Sequence, residues 1–354
     1  MNVALDTTAV YTSRAGAARY VRGLQRGFRE LAAADLHMTP IAWEVENLAY
    51  GQPGRALKTA YREFVWAPWL APGQIRASNA DLFHSPSNWF VNPPAGLPHV
   101  VTLLDLALIR FPERFRPWLR HSGRKRLAQL PKAGKIICIS RFTADEAMEL
   151  LGLPAAKLEV VHLGNDFDQP PPHAPGRPKT LPETPFFLFV GSLEPGKNLR
   201  LLRAVYERAK DLKRNLPPLA IAGARWLGVA GEGTPPADWH YLGHVPDAEL
   251  HWLYSHALAL VFPTKYEGFG FPLLEAMGLG CPTVASPLAS LPEIGGAATV
   301  WTEPTAAAYL DVLTELADNP STRAVRAELG LREAKKFSWK RCAAETLEVY
   351  RSVS

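Results

Sequence analysis

Short apolar runs alternate with longer stretches of helical periodicity in both halves of the chain. In the first half, the runs NVALD, PHVVTLLDLAL and KIICIS are rich in valine, isoleucine and leucine, and each predicts a buried strand. Between the first two runs, apolar residues recur at the spacing of one helix face, which predicts a helix over 17–32. Strands and helices that alternate in this way are typical of a parallel sheet covered on both faces.

The alternation breaks at Asp168–Pro185, where prolines are dense and no apolar periodicity remains, so we expect an extended linker. It restarts with FFLFVGS, LAIAG, LALVFPT and PTVAS, and an amphipathic helical pattern follows near the end. We therefore predict two doubly wound α/β domains at 1–170 and 186–335, a linker at 171–185 and a last helix at 336–354. Open α/β sheets bind ligands at the carboxyl ends of their strands, so the crevice between the two domains is the expected site.

The composition indicates a folded chain with an ordinary core. Hydrophobic residues make up 47% of the chain and aromatic residues 10%, which argues against widespread disorder. The 39 Lys and Arg exceed the 34 Asp and Glu, which gives a net charge of +5. An excess this small fits an anionic small molecule or an anionic membrane surface and is too weak to indicate nucleic acid.

The cysteines and the lengths of the apolar runs indicate the cellular compartment in which the protein is expected. Cys138, Cys281 and Cys342 are far apart, odd in number and without metal-ligand spacing, so we expect buried free thiols in a reducing compartment. The first residues lack the basic and apolar regions of a secretory signal, and no apolar run approaches the ~20 residues that span a bilayer. We therefore expect a cytoplasmic location.

The most informative stretch is Lys265–Ser286, KYEGFGFPLLEAMGLGCPTVAS, in which a predicted strand, a glycine-containing turn and a helix follow one another. Proline suits the first helical position, so we expect the helix to begin at Pro272. Glycines let the main chain approach a ligand closely, and unpaired amides at a helix start favour an anion such as a pyrophosphate. Glu275, in the predicted first turn, can accept two hydrogen bonds from a ribose cis-diol, and Glu267 precedes the turn, nearer the expected sugar.

Taken singly, these features have plainer interpretations. Glu275 can simply complement the helix dipole, Glu267 can cap a loop, and a glycine turn by itself indicates little. The combination of a strand, EGFGFP, a second glutamate and GCPTVAS is much more specific. It resembles glycosyltransferase family 4, whose members share the GT-B fold of two Rossmann-like domains facing across a cleft and a signature of glutamate, seven residues and glutamate.

The resemblance extends over nearly the whole chain. Further matching segments are GSLEPGKNL at 191–199, LGHVPD at 242–247, SLPE at 290–293, IS at 139–140, VHLGN at 161–165 and FSW at 337–339. In this family the last helix commonly crosses back onto the first domain, so we expect 336–354 to pack there. The resemblance implies a retaining, metal-independent hexosyltransferase whose donor is a nucleoside diphosphate sugar, preferably GDP-mannose-like. Its acceptor would be a glycan or a lipid-linked glycan in surface polysaccharide synthesis.

The resemblance also assigns roles in the second domain. Glu275 would bind the donor ribose, Lys197 would neutralise the departing diphosphate, and Glu267 would contact the donor sugar and stabilise charge developing at its anomeric carbon. The phosphate and the sugar would also be held by the main-chain amides of Gly268, Phe269, Gly270 and Phe271. No aspartate triad with metal-ligand spacing occurs nearby, so we expect neither a metal nor a cofactor besides the sugar-nucleotide substrate. No protein nucleophile is assigned.

Around the diphosphate the sequence departs from the family pattern. Relatives often pair the lysine with an arginine, and this chain has Ser192 and Gly196 at those places. Ser192 stays among the expected donor-binding residues. Stabilisation of the leaving group then rests on Lys197, helped by Arg225 or Arg19.

The first domain departs from the pattern as well. Gly16 matches the family's glycine-rich loop and is expected to contact phosphate, whereas Ala18 stands where a second glycine is usual. The family's His-Asp pair near a strand end reads Leu104-Asp105 here, and the missing histidine commonly approaches the C6 hydroxyl of the donor sugar. Leu104 therefore indicates either a donor that lacks this hydroxyl, such as a 6-deoxyhexose, or an ordinary core position. Asp105 is expected either as a catalytic residue in the cleft or as the cap of the following segment.

Arginines and aromatic residues concentrate in 114–126. This segment can rest on anionic lipid at the inner face of a membrane and bring the cleft to a lipid-linked acceptor. A solvated basic helix face explains the same residues. Trp66, Trp69 and Trp89 fit either an apolar acceptor channel or the core, and the core is the simpler assignment.

Three other functions stay open from the sequence. A catalytically silent relative that binds nucleotide or glycan within an assembly complex would explain Leu104 and the missing arginines, although both glutamates and Lys197 are intact. An epimerase or a phosphorylase would share the fold, but no cofactor-lysine motif supports a phosphorylase. A nicotinamide dehydrogenase is disfavoured because no GxGxxG follows the first strand.

Overall fold

The computed structural model describes residues 1–12, 16–45, 54–168, 176–181, 183–223, 236 and 239–353. The chain divides into two compact units. The first comprises Met1–Gly164 together with Ser338–Ser354, and the second comprises Asn165–Phe337. The second unit is therefore inserted into the sequence of the first.

The first unit is built on a parallel sheet. Its described strands are β1 (Asn2–Asp6), β2 (His37–Ile41), β3 (Leu82–Ser85), β4 (His99–Leu103), β5 (Lys135–Cys138) and β6 (Leu158–Val160). They pair in the order β2-β1-β3-β4-β5-β6. The runs NVALD and KIICIS form β1 and β5 as predicted, but the run PHVVTLLDLAL is extended only as far as Leu103. Its second half enters a short helix.

Helices flank this sheet. In the described part of the first unit they are α1 (Thr8–Thr12), α2 (Gly16–Leu31), α3 (Arg55–Tyr61), α4 (Ala71–Ala77), α5 (Ala107–Arg110), α6 (Pro117–Leu127) and α7 (Arg141–Leu151). A π-helix at Arg62–Leu70 joins α3 to α4. The helix predicted over 17–32 is α2, and it begins one residue earlier. The Ser140 side chain caps α7 by accepting a hydrogen bond from the amide of Thr143.

The second unit repeats this design. Its described strands are β7 (Phe187–Val190), β8 (Leu219–Ala222), β9 (His240–Gly243), β10 (Leu260–Phe262), β11 (Thr283–Ala285) and β12 (Val300–Trp301). All pairings are parallel, in the order β12-β11-β10-β7-β8-β9. The helices are α8 (Leu199–Asp211), α9 (Asp247–His256), α10 (Phe271–Gly278), α11 (Leu291–Gly295), α12 (Ala306–Asp318) and α13 (Pro320–Ala334). The four runs FFLFVGS, LAIAG, LALVFPT and PTVAS form β7, β8, β10 and β11.

Alternate residues of the central strands enter two separate cores, one on each face of the second sheet. Phe187 and Phe189 of β7 belong to one core, and Leu188 between them belongs to the other. Both faces are therefore covered by helices, which is the doubly wound arrangement that the sequence predicted.

The proline-rich segment contains no regular structure in its described residues, 176–181 and 183–186. Phe167 and Leu181 are nevertheless buried in the core of the second unit. The chain therefore leaves the first unit at Gly164. The prediction placed this boundary later, at residue 170.

The last described helix, α14 (Trp339–Arg351), lies in the first unit and packs along α2. Gly23 and Gly27, one turn apart on α2, make this close packing possible. A Cβ at Gly23 would lie 2.1 Å from the Trp339 ring, and one at Gly27 would lie 2.0 Å from the Trp339 carbonyl oxygen. Cys342, Thr346, Leu347 and Tyr350 of this helix are all buried.

A chain of buried polar side chains runs through the first unit. The hydroxyls of Tyr20 and Thr102 are 2.9 Å apart, and the Thr102 hydroxyl lies 2.8 Å from Nε2 of His84. The Nδ1 atom of His84 lies 2.7 Å from the hydroxyl of Tyr350 on α14. Burial, and then the neighbouring His99, lower the pKa of His84 to about 3, so its imidazole is neutral. The network joins α2, two central strands and α14.

Two further predictions concern thiols and membrane spans. Cys138, Cys281 and Cys342 are buried and form no disulfide, as the sequence predicted. Within the described ranges, no helix has both the length and the apolar character that crossing a bilayer requires.

Candidate active site

Two loops of the second unit carry the candidate chemistry. They follow β7 and β10, which are adjacent parallel strands, so both loops leave the same edge of the sheet. The first loop contains a 3₁₀ turn at Pro195–Lys197, and the second contains Glu267.

Lys197 and Glu267 form an ion pair between Nζ and Oε1. Their side chains are 17% and 15% exposed, so the pair is largely sheltered and can still be reached from solvent. The Nζ atom also lies 5.7 Å from the centroid of the Phe262 ring at the end of β10. Partial removal from water strengthens the field of such a pair, and this is the property that a charge-stabilising site needs.

Main-chain hydrogen bonds hold the two loops together beneath this ion pair. The carbonyl oxygen of Gly196 accepts from the Lys265 amide at 2.9 Å and from the buried Thr264 hydroxyl at 3.1 Å. The same Thr264 hydroxyl lies 3.2 Å from Oε1 of Glu267. The Ser290 hydroxyl donates to the Glu267 carbonyl oxygen at 2.9 Å. Glu267 is thus fixed on both its side chain and its main chain.

The glycine turn that follows Glu267 leads directly into α10. Gly270 has φ of 100°, a conformation that favours glycine, and a Cβ there would lie 2.7 Å from Cδ2 of Leu291. The ring of Phe269 is buried between those of Phe271 and Phe337. The turn is therefore anchored by packing.

The structure corrects the predicted start of α10. The helix begins at Phe271, Pro272 is its second residue, and no acidic residue lies in its first turn. Glu275 is therefore too far along the helix to complement the dipole at its start.

Glu275 is also fully buried, whereas the prediction placed it at the accessible helix start. Its Oε2 accepts a 2.8 Å hydrogen bond from the buried Tyr254 hydroxyl of α9. A buried carboxylate held by a hydrogen bond is a costly feature that ordinary core packing does not require. Its role toward ribose stays a prediction.

The described residues contain no group of three or more His, Cys, Asp or Glu side chains placed to hold a metal ion. The charged groups that do meet are the ammonium group of Lys197 and the carboxylate of Glu267, whereas Glu275 pairs separately with Tyr254. An ammonium group and a carboxylate at adjacent loops can bind a negatively charged group and the hydroxyls attached beside it.

Comparisons with known proteins agree with this geometry. Residues 14–169 match the family described as "Glycosyltransferase Family 4", and residues 176–331 match "Glycosyl transferases group 1". The chain is 32% identical over 291 residues to O-antigen chain mannosyltransferase B of Escherichia coli, covering 76% of this chain and 74% of that protein. The chain belongs to the group 1 glycosyltransferases.

Two further similarities extend the comparison. Glycogen synthase of Mycobacterium tuberculosis is 31% identical over 237 residues, and the match spans 62% of this glycosyltransferase but only 54% of that enzyme. Among solved structures, sucrose-phosphate synthase from Thermosynechococcus elongatus superposes with a TM-score of 0.74 at 18% identity, over 99% of this chain and 98% of that chain. This last likeness shows that the glycosyltransferase has the GT-B fold.

The first unit of the glycosyltransferase holds the other predicted site residues. Gly16 is the first residue of α2, and Arg19 lies in its first turn. Oδ1 of Asp105 accepts a 3.0 Å hydrogen bond from the Ala107 amide, so Asp105 does cap the following segment. Leu104, for which an ordinary core position was one alternative, is half-buried. Catalytic or donor-binding roles for these residues stay predictions.

The remaining predicted residues differ in how deeply they are buried. Ser192 is half-buried in the loop after β7, and its carbonyl oxygen accepts from the Glu194 amide at 3.0 Å. Arg225 lies outside the described residues. Of the three tryptophans assigned to the core, Trp66 is buried, Trp89 is half-buried, and Trp69 is 75% exposed, so the assignment of Trp69 was wrong.

Sequence reasoning missed three residues that shape the site, namely Thr264, Ser290 and Tyr254. Thr264 ends the predicted strand LALVFPT, where polar residues commonly face a ligand, and that position was an available signal. Ser290 lies in a segment quoted only for its resemblance to the family. Tyr254 carried no signal, because its hydroxyl reaches Glu275 only through the packing of α9 on α10.

Proposed function

We propose that this glycosyltransferase moves a hexosyl group, mannosyl by preference, from a nucleoside diphosphate sugar to a glycan or lipid-linked glycan. The ion pair of Lys197 and Glu267 carries the proposal, because it places a cation and an anion at the sheet edge where such folds bind ligands. Membership of the family and the E. coli mannosyltransferase relative support surface polysaccharide synthesis as the setting.

Each charge then has a task in the reaction. The bond between the anomeric carbon and the diphosphate oxygen breaks, and negative charge grows on the departing diphosphate. Lys197 stabilises that charge, while Glu267 faces the positive charge that develops at the anomeric carbon and contacts the sugar hydroxyls. Glu267 already forms an ion pair with Lys197. The bound diphosphate therefore either displaces Glu267 from Lys197 or binds Lys197 alongside it.

We further propose that the configuration at the anomeric carbon is retained. The acceptor hydroxyl attacks the face from which the diphosphate leaves, and its proton passes to an oxygen of the departing phosphate. The products are the glycosylated acceptor and a protonated nucleoside diphosphate. No protein nucleophile is needed, and Asp105 would act as a cleft residue beside its capping bond.

Donor binding is assigned to the second unit. Glu275 would accept hydrogen bonds from the ribose, with Tyr254 fixing its other oxygen. The amides of the glycine turn and the hydroxyl of Ser192 would bind the diphosphate and the sugar. Because Glu275 is fully buried, ribose binding requires this part of the unit to open.

The decisive experiment supplies GDP-mannose, with UDP-glucose as the competing donor, to a mannan-type oligosaccharide acceptor. We expect transfer from GDP-mannose, an α-linked product in the proton NMR spectrum of the anomeric region, and undiminished turnover in excess EDTA. Inversion at the anomeric carbon would refute retention, and loss of activity that Mn²⁺ restores would refute metal independence. Tight nucleotide binding without transfer to any acceptor would favour the catalytically silent relative.

A further inference from the structure

The helical segment 55–70 of the first unit exposes a continuous apolar face. Thirteen large hydrophobic side chains are exposed in the described part of the chain, and six of them lie here: Leu57, Tyr61, Phe64, Val65, Trp69 and Leu70. Phe64 and Trp69 are 74% and 75% exposed. Single exposed apolar residues are ordinary on a protein surface, but a cluster of this kind marks an interaction site.

Helical spacing places these residues together. Leu57, Tyr61, Phe64 and Trp69 recur at intervals of three to five positions along α3 and the π-helix. The opposite side of the same segment is anchored in the first unit, where Trp66 is buried. The segment is therefore held by one apolar side and presents a second one to solvent. This second side, formed by Leu57, Tyr61, Phe64 and Trp69, is the apolar face.

Positive charge adjoins the apolar face. Residues 114–126 contain five Arg and one Lys and no Asp or Glu. The ion pair of Arg126 with Glu63 fastens α6 to the π-helix, and α6 exposes Arg124 and Lys125 together with Trp118. Aromatic side chains bordered by lysine and arginine are the composition of helices that lie on anionic lipid.

A largely buried cluster of two arginines and one glutamate fastens α6 beside the π-helix. The guanidinium groups of Arg62 and Arg126 lie 4.9 and 4.4 Å from the centroid of the Trp89 ring, and both pair with the single carboxylate of Glu63. Glu63 therefore serves two guanidinium groups, and Arg62 also interacts electrostatically with the buried Asp6. The Nη1 atom of Arg126 is buried and has no hydrogen-bond partner among the described residues.

We propose that the apolar face rests in the interfacial layer of a bilayer containing anionic phospholipid. Phe64 and Trp69 enter the boundary between headgroups and acyl chains, and the exposed Arg124 and Lys125 of α6 contact headgroup phosphates. The sequence had assigned lipid contact to 114–126 alone. The structure assigns the apolar part of the contact to 57–70 and leaves the basic part to α6. The proposal does not depend on the transfer reaction.

Flotation of the purified full chain with vesicles tests it directly. Wild-type protein should float with vesicles of phosphatidylcholine and phosphatidylglycerol, and should float much less with phosphatidylcholine alone. The double variant Phe64→Ser with Trp69→Ser should lose at least about 10-fold in partitioning, because two large apolar side chains no longer leave water. The matched control is Val325→Ser with Leu331→Ser, which removes two exposed apolar residues of α13 in the second unit and should bind like wild type.

A second measurement uses the tryptophan itself. Brominated lipids should quench wild-type fluorescence, and Trp69→Phe should lose a large part of that quenching while it still floats. Replacing Arg124 and Lys125 by Gln should weaken flotation by roughly fivefold for each charge and leave the apolar part in place.

Three results would overturn the proposal. The first is failure of the wild type to bind anionic vesicles, and the second is binding by the Phe64 and Trp69 double variant equal to that of the wild type. The third is a wild-type dimer, detected by light scattering, that becomes a monomer in this double variant. The last result would mean that a second copy of the chain covers the apolar face. Vesicle binding with no transferase activity would count against the proposed function alone.

Discussion

The two units share one architecture and place their polar side chains differently. In the second unit, Lys197 and Glu267 lie at the ends of adjacent strands, within reach of solvent. In the first unit, His84 lies within a strand, is fully buried and is linked through Tyr350 to α14. Polar residues at strand ends are free to serve a ligand, whereas polar residues inside the sheet join helices to it. Four predictions test whether this division holds.

The largest effect is expected at Lys197. Lys197→Ala should lower turnover by on the order of 10²-fold or more, because the departing diphosphate loses a preorganised positive charge. The control is Lys265→Ala in the neighbouring loop, whose exposed side chain can be removed with little effect. Steady-state kinetics with the fold checked by circular dichroism measure both. Near-normal transfer by the Lys197 variant would mean that another cation does this work.

A smaller effect is expected on the choice of donor sugar, and it involves Leu104 of the first unit. If the C6 group of the donor meets Leu104, a 6-deoxy donor should be used roughly 10- to 100-fold better than its hydroxylated counterpart. A buried hydroxyl without a partner costs about 1–3 kcal/mol, and a methyl group in its place gains about 0.8 kcal/mol. GDP-rhamnose and GDP-mannose on one acceptor give the comparison, and Leu104→His should reverse the preference. Equal use of both donors would refute a contact between Leu104 and the C6 group of the donor.

Two buried tyrosines test the comparison of the units most directly. Tyr254→Phe should weaken nucleoside diphosphate binding up to about 10-fold, because Glu275 loses the hydrogen bond that orients it. Affinity for the 2′,3′-dideoxy nucleotide should hardly change, and a merely structural role could not produce that contrast. Calorimetry with both nucleotides measures the two affinities.

The matched substitution in the first unit is Tyr350→Phe. It removes the partner of His84 and should lower the free energy of unfolding by about 1–3 kcal/mol with unchanged nucleotide affinity. Urea unfolding and calorimetry measure the two quantities. If Tyr350→Phe weakened nucleotide binding as much as Tyr254→Phe, the proposed division between the units would be wrong.

The last prediction is a dependence of stability on pH. Burial lowers the pKa of His84 to about 3 and that of His99 to about 4, from an ordinary 6.5. Below pH 6.5 the unfolded chain binds protons at these positions and the folded chain does not, so stability is complete above pH 6.5 and falls as the pH falls toward 4. Each histidine contributes a slope of about 1.4 kcal/mol per pH unit.

His84→Gln should remove one of these two slopes. Urea unfolding of the wild type and the variant at several pH values between 5 and 6.5 measures the difference, above the range in which ordinary carboxylates titrate. An unchanged slope would show that His84 is protonated in the fold or that the unfolded chain keeps it neutral.

The sequence predicted the strands that are continuous apolar runs, and it missed those that are not. β2 carries Pro40 and lies at the sheet edge, and β3 is short and contains His84, so neither resembles a buried apolar strand. The dense motif around Glu267 predicted the loop that meets Lys197. The hydrogen bond between Tyr254 and Glu275 was beyond prediction, because it depends on how two helices pack and leaves no periodic trace in either.

Sequence reasoning also failed where a side chain breaks the usual rule of burial. Trp69 was assigned to the core, and it is instead one of the most exposed large hydrophobic residues described. Leu104, for which a core position was one of two interpretations, is half-buried. Such exceptions are expected where a surface has a partner, and the sequence alone does not reveal which apolar residues these are.

The position of α14 has a consequence for synthesis on the ribosome. This helix completes the first unit by filling the space at Gly23 and Gly27 and by supplying Tyr350 to His84, yet it follows the whole of the second unit in sequence. At translation rates of roughly 5–20 residues per second, the nascent first unit waits roughly 10–35 s for its last helix. By the end of that interval the second unit has all of its own residues and can fold, while the groove along α2 has stayed open.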